Sequence, residues 1–147
     1  PELVPKNQRG NIMKLSRVLI FTVCILFFSF GCSSKAIYNV ENEPVPSHST
    51  GAQPTFDEVQ KAIMAACKNK GWSPRIVEKG LIDASIYVRS HKADVTISFT
   101  ENAYSILYKD SANLGYSNGN IHRNYNNWVI KLSQAIQQYL DVNVQKY

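Results

Sequence analysis

Residues 81–109 read LIDASIYVRSHKADVTISFTENAYSILYK, and this stretch decides the fold. From its start, Ile82, Ala84, Ile86 and Val88 alternate with Asp83, Ser85, Tyr87 and Arg89. Successive side chains of a strand point to opposite faces, so the alternation predicts a strand with one apolar and one polar side. Ser90-His91-Lys92 forms a turn, after which Val95, Ile97 and Phe99 alternate with Asp94, Thr96 and Ser98. Glu101-Asn102 turns the chain again, into Tyr104, Ile106 and Tyr108 alternating with Ser105, Leu107 and Lys109. Connections this short join antiparallel neighbours, which predicts a meander with one face to be covered.

The flanks supply the cover. Upstream, the Thr55 hydroxyl can cap a helix while Glu58, three residues on, reaches back in a capping box. Phe56, Val59, Ile63, Ala66 and Cys67 then share one helical face, and Gly71 stops the helix. Downstream, Ile121, Tyr125, Trp128, Val129, Leu132, Ala135, Ile136, Tyr139 and Leu140 make a broad apolar stripe on a helix of roughly five turns. Arg75 to Glu78 is a short candidate strand ended by Lys79-Gly80. The expectation is an α+β fold: an antiparallel three- to four-stranded meander with an N-terminal and a C-terminal helix packed on one face. It occupies 55–147 as a single domain. A 147-residue chain allows one domain, and an apolar share of 44% is ordinary for a folding sequence.

The remaining sequence reads as address and tether. The formal charge is +5, but residues 1–31 hold four basic residues against one acid, and 32–147 hold twelve against ten. Most of the basic excess therefore belongs to the N-terminal segment rather than to a nucleic-acid surface. From Met13 the chain reads Met-Lys-Leu-Ser-Arg, then an apolar run from Val18 to Phe30, then Gly31-Cys32-Ser33-Ser34. A short positive segment, about 7–15 apolar residues and a small residue before the cut make the plan of a secretory signal peptide. The run is short for a membrane span, which needs about 20 residues. Residues 1–12 are expected to be an upstream extension and 13–31 the signal. Residues 33–54 are rich in Ser, Asn, Glu and Pro and poor in large apolar residues, so 32–54 is expected to be a flexible tether. His48 within it reads as a solvated linker residue.

Ser29-Phe30-Gly31-Cys32 resembles the lipobox of bacterial lipoproteins, in which a small residue precedes the cysteine that becomes lipidated and N-terminal. The resemblance covers the first quarter of the chain. Gly31 and Cys32 fit it, whereas Ser29 and Phe30 differ from the usual Leu followed by Ala or Ser. It implies cleavage after Gly31 and lipid on Cys32, two or three chains of which anchor stably at about 0.8 kcal/mol per buried CH₂. Ser33, not being Asp, would direct the product to the outer membrane, facing the periplasm. The whole pattern looks like the small Gram-negative lipoproteins without an assigned function, so only Gly31 and Cys32 carry a role over.

With Cys24 removed and Cys32 acylated, Cys67 has no partner in its chain, and its place on the apolar helix face reads as core. His48, His91, His122 and Cys67 show no ligand spacing, so neither a metal nor another cofactor is expected. Ser, His and Asp residues occur without a Gly-x-Ser-x-Gly turn. Asp83 and Asp94 could face each other on the solvent side of the hairpin. The most suggestive segment is Asp110 to Asn126, read as a loop entering the last helix. Its Asn113, Tyr116, His122, Arg123, Tyr125 and Asn126 are the mixture of donors and rings found in recognition loops, and Leu114 and Tyr116 could equally plug the sheet end. The exposed sheet face would carry Tyr87, Arg89, Thr96, Ser98, Ser105 and Lys109; export makes a nucleic-acid partner for it the poorer reading.

The leading functional expectation is a non-enzymatic, lipid-anchored envelope domain that binds a protein partner through the sheet face or the 110–126 loop. An envelope hydrolase using His122 or His91 is the rival, and it requires a histidine within hydrogen-bond reach of a nucleophile or carboxylate. A purely structural spacer, the third reading, requires neither pocket nor apolar patch.

Overall fold

A computed structural model describes residues 34–48 and 50–144. The signal peptide, Gly31 and Cys32 lie outside the described residues. The described elements are β1 (Ser34–Ala36), β2 (Val40–Pro44), α1 (Phe56–Asn69), β3 (Trp72–Glu78), β4 (Leu81–Val88), β5 (His91–Phe99), β6 (Ala103–Ala112), β7 (Asn120–His122) and α2 (Arg123–Val144).

The meander is present as β3-β4-β5-β6, all antiparallel. Its inward residues Ile82, Ala84, Ile86, Ala93, Val95, Ile97, Phe99, Tyr104 and Ile106 are buried in one cluster with the apolar sides of both helices. Alternation delivers this result because each strand crosses the helix layer with every second side chain toward it. Val88 is the exception, being 37% exposed at the tip of its hairpin.

α1 begins as its sequence predicts. The Thr55 hydroxyl accepts the Glu58 N–H at 3.4 Å, and the Glu58 carboxylate accepts the Thr55 N–H at 2.7 Å. Val59, Ala62, Ile63, Ala66 and Cys67 are buried along its inner face. The second helix starts later than the apolar stripe: Ile121 is fully buried, but in β7 rather than in a helix. α2 then runs 22 residues and buries Tyr125, Val129, Leu132, Ala135, Ile136 and Leu140.

Three expectations need correction. The sheet has five strands, in the order β2-β6-β5-β4-β3, and a second sheet pairs β1 with β7. The short candidate strand at Arg75 to Glu78 is present and longer than expected, covering Trp72–Glu78. It pairs with β4 only, and an edge position tolerates its Pro74. The expected tether is folded over its described residues. β2 joins the outer edge of β6, and Val40 and Val45 are each only 4% exposed in the core. Composition concealed this because an edge strand exposes most of its surface; two valines suffice to fix its register, and Pro44 ends it. His48 likewise stands in a bonded turn, with its N–H donated to Ala52 and its Nε2 3.7 Å from Glu58.

Candidate functional site

Two regions concentrate polar and aromatic side chains. The first is built where β6 leaves the sheet and returns through β7 to α2. Asn113, at φ 58°, donates through Nδ2 to the Ser90 carbonyl at 2.7 Å, and its own carbonyl meets His91 Nδ1 at 2.6 Å. The left-handed backbone suits an Asn, and both contacts tie the loop to the β4–β5 hairpin tip. The His91 and His122 rings stack with centroids 6.2 Å apart. His122 Nδ1 accepts the Asn124 N–H at 3.2 Å, so each imidazole is engaged with backbone rather than with a carboxylate or hydroxyl.

Tyr108, Tyr116 and Tyr125 form an aromatic file beside the histidines. Tyr116 stacks on Tyr108 at 4.7 Å, and Tyr108 meets Tyr125 edge-on at 5.5 Å. Tyr125 is fully buried with no hydrogen-bond partner for its hydroxyl, and burial pushes its ionisation up. Leu114 is 2% exposed and fills the sheet end. Asn126 brackets β1: it donates to the Ala36 carbonyl at 2.8 Å and accepts the Tyr38 N–H at 3.0 Å. Of the six residues expected to form a recognition loop, Asn113, His122, Tyr125 and Asn126 thus have internal partners or packing. Tyr116, stacked on Tyr108 yet 49% exposed, and Arg123, also exposed, present surface for an external contact. The segment is also less of a loop than expected, because β6 extends to Ala112 and β7 begins at Asn120.

The second region is the polar face of the sheet. Its residues line an open depression of about 360 Å³, formed by Ser73, Arg75, Asp83, Ala84, Ser85, Lys92, Asp94 and Lys109. The two carboxylates organise it. Asp83 takes Lys109 Nζ at 2.6 Å, Arg75 at 3.0 Å and the Thr96 hydroxyl at 3.1 Å. Asp94 takes Lys92 Nζ at 2.6 Å and the Ser85 hydroxyl at 2.5 Å. The Lys109 hydrogen bond, seconded by Thr96 and by the charge of Arg75, holds the Asp83 carboxyl below its ordinary pKa. The hydrogen bond from Lys92 to Asp94 raises the Lys92 pKa.

Register explains the arrangement. Asp83 lies opposite Thr96 and Asp94 opposite Ser85, so the two acids do not face each other across the hairpin, as the alternation alone allowed. Each meets a hydroxyl across the β4–β5 pair instead, and the one acid placed opposite another is Asp94, which lies across β5–β6 from Asp110. The β5–β6 register shifts between Asp94 and Val95, where Asp94 pairs with Asp110 and Val95 with Tyr108. Lys109 is the extra residue of that bulge, and its ammonium reaches across β5 to Asp83 on β4. Of the expected face residues, Tyr87, Ser98 and Lys109 are exposed and Thr96 and Ser105 half-buried, while Arg89 sits in the hairpin turn at φ 57°. Arg75, Ser85 and Lys92 escaped notice. Only the pairing of β3 with β4, which sets Arg75 opposite Asp83, reveals the first of them.

Cys67 is fully buried, and burial pushes its thiol up to about 12. Among the described residues no three His, Cys, Asp or Glu side chains group to hold a metal, and no helix is long and apolar enough to cross a membrane. No protein-family model, curated protein or solved structure matches this chain.

Proposed function

We propose that the protein is a non-enzymatic binding domain of the Gram-negative envelope, cleaved after Gly31, lipidated on Cys32 and held on the outer membrane facing the periplasm. The observation that carries the binding reading is the polar face of the sheet. Three cations and two carboxylates are set there by strand register around an open depression. A surface whose charged groups are already ordered loses less side-chain freedom on binding than a set of free lysines would. The alternating charges suit a protein partner with complementary acidic and basic groups. The anchor reading is supported by the signal-like run, Gly31 and Cys32. The hydrolase reading gains no support from His91 and His122, whose hydrogen bonds among the described residues run from Nδ1 to backbone atoms and not to a nucleophile or carboxylate.

The test is site-specific photocross-linking in intact envelopes, with the cross-linker placed at Ser73 or Ser98. One adduct of defined mass is expected from the sheet face, lost in Arg75→Glu/Lys109→Glu and reduced when Cys32→Ala releases the protein from membranes. A cross-link that survives the double charge reversal overturns the sheet-face assignment. Unchanged membrane attachment of the Cys32→Ala protein overturns the anchor.

A further inference from the structure

We infer that the domain is electrically polarised along its strands and that its basic end lies flat against an anionic phospholipid surface; this rests on lipidation of Cys32. Folding of β1 changes what that lipid would do. Ser34, the first residue of β1, is two residues beyond Cys32, and two residues span at most about 7 Å. A tether over 33–54 would instead have held the domain about 25 Å from the bilayer on average. Without it, the end of the domain that carries Ser34 meets the headgroups.

The structure identifies that end. Ser34 pairs with His122, Ile37 donates to the Gly119 carbonyl, and the His122 ring stacks on His91 beside the Arg89-Ser90 hairpin tip. Segments 34–40, 88–92 and 111–130, which meet there, contain no acidic residue, the acids nearest to them along the sheet being Asp94 and Asp110, opposite each other on β5 and β6. Apart from Lys92, which is paired with Asp94, they contribute Lys35, Arg89 and Arg123, all exposed. The chain direction puts the C-terminus of α1, with Lys68 and Lys70, at the same end, since α1 closes through Gly71 into β3 and Trp72 pairs with Ile86. Among the described residues none of these five cations is within ion-pair distance of a carboxylate; the ion pairs found are His48–Glu58, Arg75–Asp83, Lys92–Asp94 and Lys109–Asp83. α2 also starts here, with no acid in its first turn to offset the positive end of its dipole.

The opposite end is acidic. Glu78, Glu101 and Glu43 sit at the other tips of the strands, and Asp57 and Glu58 at the start of α1, outnumbering Lys79 of the β3–β4 turn. A ten-residue strand such as β6 separates the two ends by about 30 Å, whereas charge is screened over about 8 Å at physiological ionic strength. A membrane touching the basic end therefore feels that end alone. Exposed Tyr116 and Tyr38 flank it, 49% and 43% exposed, and suit the headgroup layer as amphipathic rings do. Arg89 keeps a cationic side chain at φ 57°, where a glycine would be the easier residue.

The partner is thus an anionic phospholipid bilayer rather than an acidic protein. The test uses the full chain expressed in a Gram-negative host and purified from membranes, with the mass of its N-terminal peptide measured first. The lipidated protein is placed in vesicles of phosphatidylcholine alone or with added phosphatidylglycerol, and amide hydrogen exchange is followed. Protection of residues 35–38, 89–92 and 115–123 is expected to rise with phosphatidylglycerol and to be lost in high salt. It should also be lost in Lys35→Gln/Arg89→Gln/Arg123→Gln, with the exchange of core amides in β5 unchanged. At roughly fivefold in surface affinity per basic residue, the triple change removes on the order of a hundredfold. Protection that ignores phosphatidylglycerol, or that appears equally at the acidic end, overturns the inference while leaving the anchor standing. Absence of lipid on Cys32 overturns both.

Discussion

Asn126 on α2 holds the backbone on both sides of Ile37, donating to the carbonyl before it and accepting the amide after it. One side chain thereby ties β1 and the approach to β2 onto the start of the last helix. Asn126→Ala removes both bonds and leaves two backbone groups to water. The loss expected is about 1–3 kcal/mol in chemical denaturation. The larger signature is local: amide exchange over residues 35–38 should accelerate while that of β4 and β5 stays slow. Uniform acceleration across the sheet would show that β1 is not a separately held element.

That bracket also explains what could be read in the sequence and what could not. The alternation of Ile82, Ala84 and Ile86, and of Val95, Ile97 and Phe99, is legible because each strand has helices on one side and water on the other. β2 has one covered face and a free edge, so Val40 within it and Val45 just after it are the only buried side chains there and polar composition hides it. The residues that pin it, Asn126 to Ala36 and Tyr38 and Asn39 to the Tyr108 N–H, lie 69 to 90 positions away in sequence. Lys109 has an alternation that predicts its face but not its partner, because the bulge that aims it at Asp83 is a property of two strands together. The same holds for Asp94, whose neighbour Ser85 follows from register alone.

Acid should expose the charged network. Asp83 is held below its ordinary pKa chiefly by Lys109, and Glu58 chiefly by the Thr55 N–H. A carboxyl whose folded pKa lies below its unfolded value stabilises the fold at neutral pH, and that contribution vanishes as pH falls through the folded value. Stability is therefore expected to be flat from neutrality to about pH 5 and to fall below about pH 4, the ordinary carboxylate range. Asp83→Asn should lower the neutral plateau and flatten the acid limb, as read by denaturation midpoints at stepped pH. An unchanged acid limb in that variant would remove Asp83 from the pH dependence.

The Cys67 thiol should be silent until the protein opens. It is fully buried on the inner face of α1 and its pKa is pushed up to about 12 by burial, so thiolate is scarce and inaccessible at pH 8. Iodoacetamide is expected to leave the folded protein unmodified at Cys67 and to label it stoichiometrically in guanidinium chloride. At intermediate denaturant the labelled fraction should follow the unfolding curve. Labelling well before that transition would mean that α1 opens on its own.

Two glycines at nearly the same backbone angle should respond differently to the same change. Gly80 and Gly51 have φ of 80° and 81°, so Gly→Ala carries the same left-handed penalty at both, about 1–2 kcal/mol. A Cβ on Gly51 meets nothing within 4 Å, whereas one on Gly80 falls 2.9 Å from the Phe99 carbonyl oxygen. That oxygen belongs to backbone, and Phe99 in turn donates its N–H to the Gly80 carbonyl at 2.9 Å. Relieving the contact must pull β4 from β5 where Phe99 stacks on Phe56 at 4.9 Å, so the strain spreads into the seat of α1. Gly80→Ala should therefore lose clearly more stability than Gly51→Ala, by about 1–3 kcal/mol as for other overpacked sites, when both are unfolded in parallel. Equal losses would show that the β3–β4 turn gives way without disturbing the Phe56–Phe99 contact.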